Sequence, residues 1–415
     1  MHWMWNKIIK TKKVLFLTGI GILVLIGGMI GGRFLLEKDK EQSVNQEKQK
    51  KIGKEQEEKS FSQKTVRVED LSFTRISDRE IQLQWSDQWD PYVQEYQVER
   101  RPAGTASWER AGILESDQAA ENEALTWVDT VTEEKENQYE YRVNVKVHDD
   151  KKYQGQEGKP VLASTLLICI DPGHYGGKNA VEGTTPYAEG DFTLQLAKIL
   201  AGKLKDEYGV SSILTRETAE ISMGGFTDRD LDSAHISLRG EFAKGTDLFL
   251  SLHTNANLDG ANGYETVEQP VSIDKPILIL NTLACENPEV IHLANAIGTN
   301  LAKSSYELGI AAVGEFDTVE KEEEIREWTD AYNDQLLAKG TVCRRTDQGE
   351  DYYGVLRGAA DAGVPGMIIE HGFHTVPKMR QAAATGELAK VWAEADAAGI
   401  AEGYGLLKNT EMEEN

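Results

Sequence analysis

The chain has 415 residues, 40% of them hydrophobic, and a formal net charge of -24. That balance excludes a nucleic-acid binder, which needs a basic surface, and the length allows two or three packed domains. Three cysteines, Cys169, Cys285 and Cys343, with no C-x-x-C pair, exclude a thiolate zinc knuckle and give no disulfide framework. Cys169 reads as a small core residue in an apolar strand. Pairing of Cys285 with Cys343 stays open.

Taken in chain order, the first signal is Val14–Gly32, which carries no charge and is long enough to span a bilayer core. Lys7, Lys10, Lys12 and Lys13 precede it. The positive-inside rule therefore predicts a cytoplasmic tail over 1–13, a transmembrane anchor over 14–32 and export of the remainder. A cleaved signal peptide is the alternative. Residues 33–64 are mostly Lys, Glu, Gln and Ser, a hydrophilic spacer that cannot bury enough surface to fold alone.

Over 65–164 the rhythm becomes short alternating strands. "EIQLQW" sets Ile81, Leu83 and Trp85 against polar neighbours, "VQEYQVER" offers Val93, Tyr96 and Val98, and "QYEYRVNVKV" alternates Tyr139, Tyr141, Val143 and Val145. This predicts a β-sandwich. The Trp85, Tyr96 and "YEYRV" pattern resembles a fibronectin type III domain, which implies core aromatics and a spacer or adhesion role.

From 165 to 410 strands and helices alternate. "LLICI", "VSSILTR", "LFLSLHTNA" and "PGMIIEHGF" read as strands. "EGDFTLQLAKILAGKLKDEYG" carries Phe192, Leu196, Leu200 and Leu204 at helical spacing with Gly209 at its end. "ISLRGEFAKG" reads as a short helix and "VWAEADAAGIAEGYGLL" as a closing one. The predicted fold class is therefore α/β: a mainly parallel sheet flanked by helices, preceded by a β-sandwich and one transmembrane helix.

The chemistry gathers at strand ends. His174 follows "IDPG", His253 ends "DLFLSL" and Glu370 ends "GMII", while Glu189 opens the first long helix. In a parallel sheet these ends share one edge. His, Glu and His suit zinc with a fourth position open to water, and Glu370 would then handle protons. Plainer readings exist: a core histidine, a helix N-terminal carboxylate, a surface glutamate. Asp171 reads as an acceptor orienting His174 or as a turn cap. Arg216 and Arg239 read as structural, and His371 and His374 as exposed loop residues, the alternative being a proton shuttle or a contact to the product carboxylate.

In combination, "IDPGHYGG", the following Glu189, "TR", "DLFLSLHTNA", "YGVLR" and "IIEHGFHT" closely resemble the zinc-dependent N-acetylmuramoyl-L-alanine amidases of the Amidase_3 type, over residues 166–407. The resemblance implies zinc ligands at His174, Glu189 and His253, a catalytic Glu370, and substrate contacts at Arg357 and Asn255. It implies cleavage of the amide between N-acetylmuramic acid and L-alanine of peptidoglycan, in a bacterial cell membrane with the catalytic domain outside, facing the wall. The rival readings are a wall-binding or adhesion protein with an inactive amidase-like domain, and a zinc carboxypeptidase-like hydrolase. The long interval between His253 and Glu370 contains "VEKEEEIREWTDAYNDQLLAKG", with Ile325, Trp328, Tyr332 and Leu336 at helical spacing. It is read as an inserted amphipathic helix over 318–338. Such a helix is either peripheral scaffold or a lid whose Glu320, Glu322, Glu323 or Glu324 reaches zinc's open position until a protein activator lifts it.

Overall fold

The structure is a computed structural model that describes residues 63–86, 92–115, 124–131, 137–148, 152–256, 275–328 and 340–409. Among the described residues no helix is long and apolar enough to cross a membrane. The Val14–Gly32 run and residues 33–62 of the spacer lie outside them, and Lys64 already belongs to the first strand.

The N-terminal part is a sandwich. β1 (Lys64–Val66), β2 (Ser72–Arg75), β3 (Glu80–Ser86), β4 (Val93–Pro102), β5 (Glu109–Glu115), β6 (Ala124–Thr130), β7 (Gln138–Val147), β8 (Tyr153–Gly155) and β9 (Val161–Ser164) form two main sheets. Their orders are β2-β3-β6 and β5-β4-β7-β9, and β1 pairs with β8. The alternating residues do what period-two patterning requires. Ile81, Leu83, Trp85, Tyr96, Val98, Tyr141 and Val143 all fall in one buried cluster, with Trp85 edge-on to Tyr96 at 5.8 Å.

The sandwich is seated on the following domain by polar contacts. The Gln138 side chain donates to the carbonyls of Tyr208 (2.8 Å) and Leu407 (2.9 Å) and accepts from Leu407 N–H (2.8 Å). Arg75 donates to Thr165 O and pairs with Asp247, whose carboxylate also caps Leu167 N–H at 2.7 Å. A side chain whose amide is satisfied in full across a boundary fixes orientation, because each bond left unmade costs about 1–3 kcal/mol. Residues Lys64–Asn415 form one compact unit, so in this chain the sandwich is no loose spacer.

The second part contains β10 (Leu167–Pro172), α1 (Glu189–Tyr208), β11 (Ser211–Leu214), α2 (Ser237–Glu241), β12 (Leu248–Asn255), β13 (Ile277–Leu280) and α3 (Pro288–Glu307). It continues with β14 (Phe316–Asp317), β15 (Arg326–Glu327), β16 (Gly340–Arg344), β17 (Thr346–Asp347), β18 (Glu350–Asp351), α4 (Gly354–Asp361), β19 (Gly366–Phe373), α5 (Pro377–Ala384) and α6 (Glu387–Tyr404). The sheet order is β11-β10-β12-β19-β13-β16-β14, with β15 also on β16. It is mixed: β13 lies antiparallel to β19, and the other neighbours are parallel. The helix α1 buries Phe192, Leu196, Leu200 and Leu204 against it, about 1.5–3 kcal/mol for each large side chain. Gly209 closes α1 in the left-handed region at φ 66.

Over 318–327 the chain does not form the expected inserted helix; Trp328 is helical, and 329–338 lie outside the described residues. Glu322–Glu324 is a single 3-10 turn and Arg326–Glu327 is an edge strand on β16. Ile325 is buried in the core. Glu324 accepts from Glu320 N–H, and Glu322 pairs with Arg344. Pairing with β16 satisfies the backbone of 326–327 between strands, where a helix would satisfy it along its own axis. Tyr332 and Leu336 lie outside the described residues.

Candidate active site

Three strands deliver the site. His253 on β12 lies directly opposite Glu370 on β19, and β10 runs into the Asp171–His174 turn beside them. The turn is strained: His174 has φ 59, a region costing a residue with a Cβ about 1–2 kcal/mol. A buried clamp holds it. Arg239, 1% exposed, grips Asp171 with two nitrogens at 2.7 and 2.9 Å and donates to the carbonyls of Pro172 and His174. Arg216 donates to the carbonyls of Pro172 and Gly173. Asp171 takes further bonds from Thr215 and Ser251, and although burial alone would raise its pKa, Arg239 and these donors hold it lowered. Asp171 therefore anchors the turn and does not touch the His174 ring. Gly173 must lack a side chain, because a Cβ there would meet the His253 ring at 2.5 Å.

The ring of His174 is instead oriented by Asp232, whose Oδ1 lies 2.8 Å from Nδ1. That leaves Nε2 facing Glu189 Oε2 at 3.3 Å. Glu189 Oε1 lies 3.1 Å from His253 Nδ1 and accepts Thr254 N–H at 2.9 Å. Asn179 sits 3.1 Å from His174 Nε2 and donates to Glu189 Oε2 at 2.8 Å. One ligand atom from each of His174, Glu189 and His253 lies within 4.8 Å of the others. Two imidazole nitrogens and one carboxylate oxygen gathered within that distance are a donor set that suits zinc.

The electrostatics follow from burial and pairing. Burial would lower the His174 pKa, but Asp232 and Glu189 outweigh it and raise it to about 10. Burial lowers that of His253. Burial would raise the pKa of Glu189, but the two histidines hold it well below the usual range. Glu370 is pushed up to about 8 by burial and then by the Glu189 charge, and its Oε2 is buried without a hydrogen-bond partner among the described residues.

These groups share a cleft of about 300 Å³ with Asn179, Asp232, Ile236, Asn255, Tyr353, Val355, Ile368 and His374. The sequence-derived candidates His174, Glu189, His253, Glu370 and Asn255 come together there. Arg357 does not: it donates to Asp351 O away from the cleft lining. His371 and His374 are buried rather than exposed. His371 lies 2.9 Å from Asp396, and His374 lies 3.0 Å from Thr254 Oγ1 and stacks on Tyr187. Cys285 and Cys343 are buried free thiols. Sequence reasoning missed Asp232 and Asn179. Neither belongs to a strand end, and only loop geometry brings them to His174.

Solved structures with related folds include an N-acetylmuramoyl-L-alanine amidase from Clostridium difficile 630, at 19% identity and TM-score 0.36 over 57% of this chain and 95% of that one. Another is the amidase AmiC2 of Nostoc punctiforme, at 20% identity and TM-score 0.35 over 58% and 97%. A third is the CwlD amidase from Clostridioides difficile in complex with the GerS lipoprotein, at 16% identity and TM-score 0.38 over 58% and 98%. Among curated proteins none matches. The family model for N-acetylmuramoyl-L-alanine amidase matches residues 168–402, a span that takes in the strained His174 turn, both strand-end groups and the cleft. The chain belongs to this N-acetylmuramoyl-L-alanine amidase family, hydrolases of the bacterial cell wall.

Proposed function

We propose that the chain is a zinc-dependent hydrolase of the amide joining the lactyl carboxyl of N-acetylmuramic acid to L-alanine in peptidoglycan. The observation that carries this reading is the convergence of His174, Glu189 and His253 on one point, with the orphaned carboxylate oxygen of Glu370 in the same cleft. Zinc, when bound, supplies a Lewis acid that acidifies water and polarises a carbonyl. His174, Glu189 and His253 are the residues that would hold it, His174 oriented by Asp232 and Glu189 by the Thr254 N–H. Glu370 takes a proton from the attacking water and delivers it to the departing L-alanine amine. Its burial keeps its proton affinity high enough for both transfers, and the charge of a bound dication would moderate it. Ile236, Val355 and Ile368 line the cleft with apolar surface, which strengthens electrostatic interactions within it.

The uncharged Val14–Gly32 run, the lysines before it and the polar spacer support membrane anchoring with catalysis on the wall side. Protease added to protoplasts should cut the spacer and release activity; protection of the spacer would sink that topology. For the chemistry, the purified chain incubated with peptidoglycan should expose new L-alanine amino termini, and chelation should stop it. Release of free terminal D-alanine instead would favour a carboxypeptidase. A metal-free chain with undiminished activity would remove the zinc reading.

A further inference from the structure

Arg345 sits at the base of the β17–β18 hairpin. Gln348 and Gly349 occupy the left-handed region at φ 52 and 88, the conformation of a two-residue hairpin turn that fixes register. Thr346 pairs with Asp351 and Asp347 with Glu350, so Arg345 faces Tyr352, whose N–H donates to its carbonyl at 3.0 Å. The guanidinium lies 3.6 Å from the Tyr352 ring centroid and 5.5 Å from that of Tyr353, and Nη1 donates to Tyr353 Oη at 3.2 Å. Its neighbour Arg344 is tied to Glu322 and Glu327. Arg345 has no carboxylate partner among the described residues, in a chain whose acidic residues outnumber its basic ones 69 to 45. The nearby Asp351 carboxylate is already committed to Thr282.

A guanidinium held flat by an aromatic ring keeps its remaining N–H fork preset for a planar anion. Tyr352 is 47% exposed, so the stack is open to solvent on that side. Tyr353 lines the catalytic cleft. Because its oxygen accepts from Arg345, its own hydroxyl hydrogen is left for an acceptor in that cleft.

We propose that Arg345, backed by Tyr352 and Tyr353, is a subsite for a carboxylate of the peptide that leaves the scissile amide. The inference rests on the amidase reading above. Two carboxylates have the right chemistry: the α-carboxylate of the second-residue D-glutamate, and the side-chain carboxylate of a third-residue diaminopimelate. Both are amidated in some walls, which would make this stack a reader of amidation.

The experiment uses the full zinc-loaded chain and three synthetic muramyl peptides: both carboxylates free, the second residue amidated, and the third residue amidated. One of the two amidations should lower kcat/KM by roughly 10- to 100-fold, the worth of a hydrogen-bonded charge, and which one identifies the source. Arg345→Met should compress that ratio toward one, chiefly through a higher KM on the free peptide. Arg345→Lys keeps the charge without the fork and should narrow the ratio part way, and it decides the matter if the Met variant does not fold. Equal kcat/KM for all three peptides with the unaltered chain, or an unchanged ratio in the variants, overturns the subsite and leaves the amidase reading standing. No turnover of any peptide overturns both.

Discussion

β10, β12 and β19 run parallel, and their C-terminal ends bring His174, His253 and Glu370 to one edge, whereas β13, β14, β15 and β16 run the opposite way from the β13–β19 junction onward. Both halves have buried apolar central strands, and in the second half the short strands β14 and β15 are partly exposed. The difference is direction. Parallel strands collect their C-terminal ends, where loops can aim side chains into a crevice. Reversal at β13 turns the matching ends of the second half toward the other edge. That half supplies a wall instead: fully buried Ile277 faces Glu370 across the ladder and helps desolvate it.

Substitutions in the two halves should therefore have unequal effects. The largest expected effect is on the ligands. His174→Ala or His253→Ala should lose both bound zinc and hydrolysis, measured by metal analysis and product release, and full zinc in either would break the assignment. Glu370→Gln should keep zinc and lower kcat by about 10²–10⁴-fold, the usual worth of a positioned acid–base group; an active variant would remove Glu370 as base.

Next comes the clamp beneath the His174 turn. Asp171→Asn or Arg239→Met leaves one partner of a fully buried ion pair alone, a loss of about 3–5 kcal/mol in denaturant unfolding. Asp232→Asn, which loosens the His174 ring and gives up longer ion pairs to Lys178 and Arg239, should weaken zinc binding about 10- to 100-fold.

Proton linkage gives a third measure. In the metal-free chain the raised pKa of His174, about 10, means that it holds a proton at neutral pH. A group whose folded pKa is raised contributes stability that is fully present below its unfolded value and is lost as pH rises through the folded one. The metal-free chain should therefore lose this contribution between about pH 6.5 and 10, the window set by the reference and raised values. Zinc held by His174 would have to displace the same proton, so calorimetry in buffers of different ionisation enthalpy should record proton release on binding at pH 7. Release unaffected by Asp232→Asn would contradict that origin.

The smallest effect is expected in the second half. Glu327 pairs with Arg344 at 3.2 Å with both side chains about one-third exposed, so Glu327→Gln should cost no more than about 1 kcal/mol and leave turnover as it was. A large loss of activity there would mean that the two halves are coupled more tightly than their opposed directions imply.

Much of this was legible in the linear chain because the signals are local. Phe192, Leu196, Leu200 and Leu204 announce α1 by their spacing, and the abrupt polar endings of "DLFLSLH" and "GMIIE" mark His253 and Glu370. Period-two aromatics announce the sandwich. A short apolar run such as "ILIL" carries no direction, so nothing in residues 277–280 tells that β13 is antiparallel. The apolar Ile325 fits a helix as well as the approach to an edge strand until β16 is there to pair with residues 326 and 327.

His174, Glu189, His253 and Glu370 could be picked out along the chain, because residue type, strand-end position and helical or alternating period are properties of neighbours in the chain. It takes the folded chain to put Asp232, rather than Asp171, on the His174 ring, to leave Arg357 outside the cleft with Arg345 behind Tyr353, and to set Gln138 between the sandwich and the next domain. Hydrogen bonds and ion pairs act over about 3–4 Å in space, and residues that far apart can be any distance apart along the chain.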